Sequence, residues 1–283
     1  MKRVLMVLGI LMWIPAVVGA QDVDPRCTQT VSQNGCVDWT NGLAIAIGTG
    51  APASYATTAA QKNITAMRAA KLDAARNILE LVKGVNISAN STVQGAMVAN
   101  DTVQTAIQGR LAGLREVEKP KYFSDGSVQV KLEARLREVV PQELFVESKT
   151  APMEIAPVAA PATGSNIGGG MAYSGLIIDA RGTGVAPAMS PKVFDEHDKE
   201  VYGSAYVDRE WAVQQGVVGY VKNMDQALKN DRVKGNPAVV KAMRTKGNGK
   251  TDLVLSQGDA DALRNLAQQQ TFLRESRVLI LLD

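Results

Sequence analysis

A segment rich in proline, alanine and glycine divides the chain into two halves. Ala-Pro pairs recur at residues 151–152, 156–157 and 160–161, and three consecutive glycines follow at 168–170. Proline stiffens such a segment, glycine loosens it, and neither supplies apolar side chains for a core. We therefore expect residues 141–170 to be a linker between two folded domains, and the first place where proteases cut.

The sequence as a whole predicts the α+β fold class, with two small α+β domains joined by that linker. A length of 283 residues is sufficient for two domains. The predicted parts are a signal peptide (1–20), an N-terminal disulfide segment (21–37), a first α+β domain (38–140), the linker (141–170) and a C-terminal α+β domain (171–283).

Residues 1–20 have the pattern of a secretory signal peptide. A basic start is followed by an apolar run over residues 4–18, and Val18-Gly19-Ala20 supplies small residues before a cleavage site. The run is too short and wrongly flanked for a membrane-spanning helix. We expect cleavage before Gln21, a periplasmic protein, and no transmembrane segment in the mature chain.

The two cysteines, Cys27 and Cys36, follow soon after the expected cleavage point. A short polar segment separates them, and an oxidising compartment favours a disulfide between them. There is no Cys-x-x-Cys pattern for a metal or a haem. Asp24-Pro25-Arg26 is charged and bulky where a lipid-attachment site needs small apolar residues, so we expect a soluble protein that is not lipid-anchored.

Hydrophobic periodicity predicts helices and strands in both halves. In the first half the predicted elements are a strand over Val37–Ile47, a helix over Thr57–Lys83 capped by Gly84, a helix over Gln94–Gln108, and strands over Arg110–Val117 and Val128–Val139 with a turn at Ser124–Gly126. In the second half they are a strand at Leu176–Asp179, a hairpin of Val193–Phe194 and Val201–Tyr202, a helix after Asp208, a strand at Leu253–Leu255, a helix from Ser256 to Gln270, and a buried strand over Arg277–Leu282.

Two glycine-rich motifs resemble phosphate-binding loops. Residues 48–53 (Gly-Thr-Gly-Ala-Pro-Ala) lie between a predicted strand and a predicted helix. Pro52 delays that helix, so we favour an ordinary connecting loop. Residues 247–251 (Gly-Asn-Gly-Lys-Thr) lack the earlier glycine of a phosphate loop, since Arg244 holds that position, and a strand follows instead of a helix. We expect neither motif to bind a cofactor.

Two polar clusters are the remaining candidates for chemistry. The segment Asp195-Glu196-His197-Asp198 carries groups that bind metals, but adjacent side chains on a strand point in alternate directions, which favours a solvated hairpin tip. Asp179 and Arg181 follow a buried strand, and we interpret them as a ligand-binding or structural pair. With a single histidine and no free thiol expected, we predict no enzymatic activity, no metal and no cofactor.

Charge gives no reason to expect a nucleic-acid partner. Removing the signal takes two basic residues from 31 and leaves 28 acidic ones, so the mature charge is about +1. The sequence contains no long run of basic residues of the kind that binds an anionic membrane surface.

Several segments of the first half resemble the LPP20 family of bacterial envelope proteins. The resemblance runs from Trp39 to Val139 and is carried by the helix segment 69–80 (Ala-Ala-Lys-Leu-Asp-Ala-Ala-Arg-Asn-Ile-Leu-Glu), by Val82-Lys83-Gly84-Val85, and by residues 109–113 with their hairpin. Residues 173–182 (Tyr-Ser-Gly-Leu-Ile-Ile-Asp-Ala-Arg-Gly) are similar to a module found beside such domains in a flagellar outer-ring assembly protein.

The resemblance implies a non-enzymatic structural or assembly protein of the cell envelope. The family includes outer-membrane lipoproteins and relatives of flagellar basal-body accessory proteins, so it implies envelope proteins or copies of this chain as partners, and outer-membrane association. The chain departs from the family's lipoproteins because it lacks a usable lipidation cysteine. The alternative is a periplasmic ligand-binding protein or hydrolase with its site at Asp179 and Arg181.

Overall fold

The computed structural model describes residues 24–146, 167 and 171–283, and its fold is α+β, with two main sheets. The elements before residue 147 are β1 (Gln29–Ser32), β2 (Gly35–Asp38), β3 (Leu43–Gly50), α1 (Ala59–Lys83), β4 (Asn86–Ser88), β5 (Ser91–Thr92), α2 (Val93–Ala99), α3 (Asp101–Arg110), β6 (Arg115–Glu116), β7 (Lys121–Tyr122), β8 (Val128–Arg135) and α4 (Leu136–Val139). Short 3-10 turns lie at Leu111–Gly113 and Gln142–Leu144.

The elements after residue 170 form the second unit. They are β9 (Leu176–Asp179), β10 (Val193–Phe194), β11 (Glu200–Tyr202), α5 (Arg209–Gln215), β12 (Gly219–Val221), α6 (Met224–Lys229), β13 (Ala238–Lys246), β14 (Asp252–Leu255), α7 (Gln257–Gln269) and β15 (Val278–Leu281), with a 3-10 turn at Ser204–Tyr206. The predicted helices and strands that begin at Leu176, Asp208, Leu253, Ser256 and Arg277 are confirmed, with boundaries that differ by at most four residues. The predicted β10–β11 hairpin is also confirmed.

The first sheet is antiparallel, with strand order β1-β2-β3-β8-β6, and β7 also pairs with β8. Helix α1 crosses one face of it. The predicted helix over Thr57–Lys83 is confirmed, because Thr58 and Gln61 form a capping box at its start and Gly84 follows its last residue. Its inward side is a row of alanines, Ala66, Ala70 and Ala74, none of which is exposed.

The second sheet is mixed, with strand order β11-β10-β14-β13-β9-β15-β12. Its centre is parallel, since β13 and β15 both pair with β9 in that sense. Leu176, Ile177 and Ile178 of β9 are fully buried, as expected for a strand covered on both faces. Helix α6 packs against one face, where Ile177 and Ala227 share a small apolar cluster.

One large hydrophobic cluster extends through both units. It contains Ile78 and Val130 from the first unit together with Leu176, Tyr202 and Leu263 from the second. The two sheets therefore do not have fully separate cores.

Several sequence-based boundaries in the first half are wrong. The predicted strand Val37–Ile47 is a hairpin of β2 and β3, because the Asp38 carboxylate accepts hydrogen bonds from the Thr40 and Asn41 amides and Gly42 has a positive φ of 65°. This hairpin also makes residues 29–37 part of the sheet and not a separate N-terminal segment.

The predicted helix over Gln94–Gln108 is two helices, α2 and α3. Asn100 separates them, because it ends α2 in an extended conformation and its side chain accepts a hydrogen bond from the Thr102 amide, capping α3. Helix α3 continues to Arg110, so the predicted strand Arg110–Val117 reduces to Arg115–Glu116.

Two further boundaries need correction near the predicted linker. The strand predicted over Val128–Val139 ends at Arg135, and a helical turn follows. Residues 141–146, assigned to the linker, pack onto the protein, since Phe145 and Val146 are buried. Most of the predicted linker lies outside the described residues, as does the predicted signal peptide.

Candidate functional site: an arginine-lined cavity between the two domains

The two units are joined by a backbone ladder between residues 86–87 and 188–190. The carbonyl of Asn86 in β4 accepts a hydrogen bond from the Met189 amide at 3.0 Å, and the carbonyl of Ile87 accepts one from the Ser190 amide at 2.8 Å. Asn86 also forms a parallel β-bridge with Ala188. These bonds fix the position of the small β4–β5 hairpin against the second unit.

The glycine-rich motif at residues 247–251 contributes to the same junction. The Gly249 amide donates a hydrogen bond to the Ala89 carbonyl at 3.0 Å. A β-carbon at Gly247 would lie 2.5 Å from the Ala89 side chain, and Gly247 has a positive φ of 82°. This motif therefore forms a turn that packs against the neighbouring domain.

An aromatic pair adds to the junction. The rings of Trp39 and Tyr220 meet edge to face, with centroids 5.6 Å apart and an interplanar angle of 71°. The Tyr220 hydroxyl accepts a hydrogen bond from the Ala188 amide and donates one to the Ala188 carbonyl. Burial raises the pKa of Tyr220 well above its ordinary value.

Beside this aromatic pair lies a cavity of about 160 Å³, here called the interdomain cavity. The first domain contributes Leu136, Arg137, Phe145 and the turn at residues 39–42. The second domain contributes residues 188–189, 215–216 and 218–220, together with Arg232. Both domains are therefore needed to form its wall.

Arg232 is a largely buried cation that is held only by neutral groups. Its Nη1 donates to the Ser276 carbonyl at 2.7 Å and to the Gly216 carbonyl at 3.3 Å, and its Nη2 donates to the Gln215 carbonyl. Burial, with a smaller contribution from the charge of the nearby Arg137, lowers the pKa of Arg232 to about 10. Within the described residues, no carboxylate pairs with Arg232.

Arg137 is the second cation of the cavity. Its Nη1 donates a hydrogen bond to the Gln214 carbonyl, which ties α4 to the end of α5. The residues that line the cavity include two arginines and no aspartate or glutamate. Two cations without a lining anion give the interdomain cavity a positive potential.

The pair predicted from the sequence, Asp179 and Arg181, lies outside the interdomain cavity. Arg181 donates from Nε and Nη2 to the two carboxylate oxygens of Asp179, at 2.8 and 2.7 Å. The hydrogen bond from Arg181 lowers the pKa of Asp179. Asp283 accepts a hydrogen bond from the next amide, Gly182. The Asp179 carboxylate is thus engaged by its own chain, at the end of β9, and it does not line the interdomain cavity.

The acidic tip predicted at residues 195–198 is a structured turn. Asp195 is buried and accepts hydrogen bonds from the His197 and Lys199 amides and from Arg264 Nη2 at 2.6 Å. Burial opposes ionisation of Asp195, but these hydrogen bonds outweigh it and lower its pKa. The His197 ring contacts the Gln257 side chain. In the part of the chain that the structure describes, no cluster of three metal-binding side chains occurs.

The other glycine-rich motif packs a helix against a strand. Gly48 and Gly50 lie in β3, and a β-carbon at either would stand 2.1–2.3 Å from backbone atoms of α1. Only glycine permits this approach. Residues 48–53 therefore have a packing role here.

The predicted disulfide is confirmed. Cys27 and Cys36 are bonded, with their Cα atoms 5.7 Å apart, and no other cysteine exists in the sequence. Among the described residues no helix combines the length and the apolar character that crossing a bilayer requires.

A known family model matches the second half of the chain. Residues 175–283 match the family model of the second domain of the Treponema pallidum protein Tp0624. The match covers less than half of the chain and begins one residue before β9. No curated protein matches the sequence.

The sequence did not predict the interdomain cavity. Arg137 follows a strand, and Arg232 lies in a polar loop without a recognisable motif. They are about 95 residues apart in the chain, and only the packing of the two domains brings them together. No local pattern could have identified them.

Proposed function

We propose that this protein is a non-enzymatic structural or assembly protein of the bacterial cell envelope. The observation that carries the proposal is the hydrogen-bonded junction between the domains, centred on Asn86 and Ala188. A junction of this kind holds two sheets in a fixed arrangement. A protein that presents several surfaces at fixed positions is suited to joining envelope proteins or copies of itself.

The envelope location is supported by two features of the sequence and one of the structure. Residues 1–20 have the signal-peptide pattern, and the Cys27–Cys36 disulfide is typical of an oxidising compartment such as the periplasm. The LPP20 resemblance, from Trp39 to Val139, favours association with the outer membrane or the flagellar motor.

An exposed aromatic group on the first domain is a candidate contact surface. Tyr55, Tyr122 and Phe123 all have exposed side chains. Their two segments are neighbours, because Pro52 lies within 3.2 Å of the position that a β-carbon on Gly126 would occupy. Aromatic side chains are enriched at protein interfaces, so this aromatic tip is where we expect a partner or a second copy to bind.

The alternative is a ligand-binding protein or hydrolase acting at Asp179 and Arg181. We favour it less because these two side chains bond to each other in a bidentate pair. An Asp179→Ala variant that folds but abolishes the biological role would restore that alternative.

Sedimentation of the mature protein, combined with imaging of envelope structures after gene deletion, tests the proposal. We expect concentration-dependent assembly and an altered envelope or motor structure. A Tyr122→Ser/Phe123→Ser variant should assemble more weakly. Val98→Ser is the control, because Val98 is also an exposed apolar residue but lies on α2. A monomer whose deletion changes no envelope structure would contradict the proposal.

A further inference from the structure

The interdomain cavity combines positive charge with an apolar wall. Arg137 and Arg232 line it without any lining carboxylate, while Trp39, Leu136 and Phe145 supply apolar surface. We propose that this cavity is a binding site for a small organic carboxylate, whose anionic group lies at the arginines and whose apolar part packs against the aromatic side chains.

The hydrogen bonds of Arg232 indicate that one of its donors is available. Its hydrogen bonds run from Nη1 and Nη2 to carbonyl and hydroxyl oxygens of residues 215, 216 and 276, and its Nε donates to none of the described residues. An arginine that keeps a free donor beside a cavity is suited to a carboxylate, which accepts charge-assisted hydrogen bonds. Neutral carbonyls orient the guanidinium but leave its charge uncompensated.

The size of the cavity limits the ligand. A volume of about 160 Å³ is comparable with the roughly 150 Å³ cavity that holds benzene in another protein. A carboxylate with an aromatic ring or a short aliphatic chain fits this volume. Inorganic phosphate would fill only the charged part and would leave the apolar wall without a contact.

The position of the cavity predicts a second property of the ligand. Its wall is formed by the turn at residues 39–42 and by α4 on one side, and by residues 215–220 and Arg232 on the other. A ligand that contacts both walls stabilises the junction between the domains. Binding should therefore protect the domain interface, whatever the oligomeric state of the protein.

Calorimetric titration with acetate, benzoate and phenylacetate tests the proposal, with the three corresponding amides as uncharged controls and inorganic phosphate as the control anion. We expect at least one carboxylate to bind at least tenfold more tightly than its amide. Arg137→Gln should weaken that binding at least tenfold. Arg181→Gln is the matched control, because Arg181 is exposed and lies outside the cavity, and it should leave binding unchanged.

A second variant fills the interdomain cavity and leaves both arginines unchanged. Thr40 lines the cavity with an exposed side chain, so Thr40→Trp should fold and should block the site. Loss of carboxylate binding in both Thr40→Trp and Arg137→Gln supports the proposal. No binding of any carboxylate in the panel, equal binding of carboxylates and amides, tighter binding of inorganic phosphate, or binding unaffected by these two variants would overturn it.

Discussion

The two domains reach a tightly packed interior by opposite means. In the first, the α1 alanines lie directly on β3, where Gly48 and Gly50 remove the side chains that would hold the helix away. In the second, the central strand β9 places large aliphatic side chains on both of its faces. Because backbones approach closely in the first domain, substitutions that add atoms there should destabilise it. Because the second domain depends on large side chains, substitutions that remove atoms there should destabilise it.

The tryptophans allow this comparison to be measured domain by domain. Of the three in the sequence, Trp13 belongs to the predicted signal peptide, Trp39 lies in the first domain and Trp211 in the second. Fluorescence of the Trp39→Phe background therefore follows the second domain. Fluorescence of the Trp211→Phe background follows the first domain at its junction with the second, because Trp39 packs against Tyr220.

The largest expected effect is the loss of a side chain from β9. Ile178 is fully buried, so Ile178→Ala should leave a cavity and lower the free energy of unfolding by about 4 kcal/mol. Denaturant titration followed through Trp211 measures it. Val239→Ala on the neighbouring strand is the control, since Val239 is partly exposed and should cost less than half as much. Equal losses would contradict the account of this core.

The next effect is the addition of one methyl group to the first core. In Gly48→Ala the new β-carbon would stand 2.1 Å from the Ala74 backbone nitrogen, so α1 must move, at a cost of about 3 kcal/mol. Gly109→Ala is the control, because nothing lies within 4 Å of that position and alanine favours a helix. If Gly48→Ala were as stable as wild type, the close packing of α1 on β3 would be wrong.

Loss of the disulfide should have a smaller effect, confined mainly to the first domain. Cys27 and Cys36 close a loop of nine residues' separation, for which the chain-entropy contribution is about 2–3 kcal/mol. A Cys27→Ser/Cys36→Ser variant should lower the stability reported by Trp39 by that amount. An equal decrease reported by Trp211 would indicate that the domains unfold as one unit.

The smallest effect concerns acid stability at the edge of the first sheet. A hydrogen bond from Arg26, opposed by burial, lowers the pKa of Asp24 to about 2. In the unfolded chain Asp24 has its ordinary pKa. The ionised Asp24 therefore adds to the free energy of unfolding in full above pH 4, and this stabilisation is lost as the pH falls toward 2. Asp24→Asn should cost about 1 kcal/mol at neutral pH.

Thermal unfolding measured from pH 6 to pH 2 tests this prediction. The stability difference between wild type and Asp24→Asn should shrink as the pH falls. Asp231→Asn provides the control, since the Asp231 side chain is exposed and its ion pair with Lys234 is long, at 3.9 Å. A difference that stays constant with pH would show that Asp24 does not act through its charge.

Much of the fold was predictable because its elements carry strong local signals. Three local signals gave correct predictions: the apolar stripe of α1 with Gly84 after it, the aliphatic run of β9, and the polar loop between the cysteines. Strand β13 was missed, because Val239 and Met243 place apolar side chains on its exposed face and obscure the alternation.

Features that depend on the contact between domains could not be predicted. The interdomain cavity requires Arg137 and Arg232 to meet, and the role of the turn at residues 247–251 becomes visible only beside Ala89. A glycine-rich turn that contacts another domain has the same sequence pattern as one that contacts solvent or a ligand.

The ladder between Asn86 and Ser190 has a consequence for a chain that is cut in two. Since it joins the halves without the peptide connection between residues 146 and 171, two separately expressed fragments should recognise each other and reassemble, as in split-protein complementation. Each fragment alone would present its half of the shared apolar cluster to water. The covalent connection would then serve to raise the effective concentration of one half near the other, and not to define their arrangement.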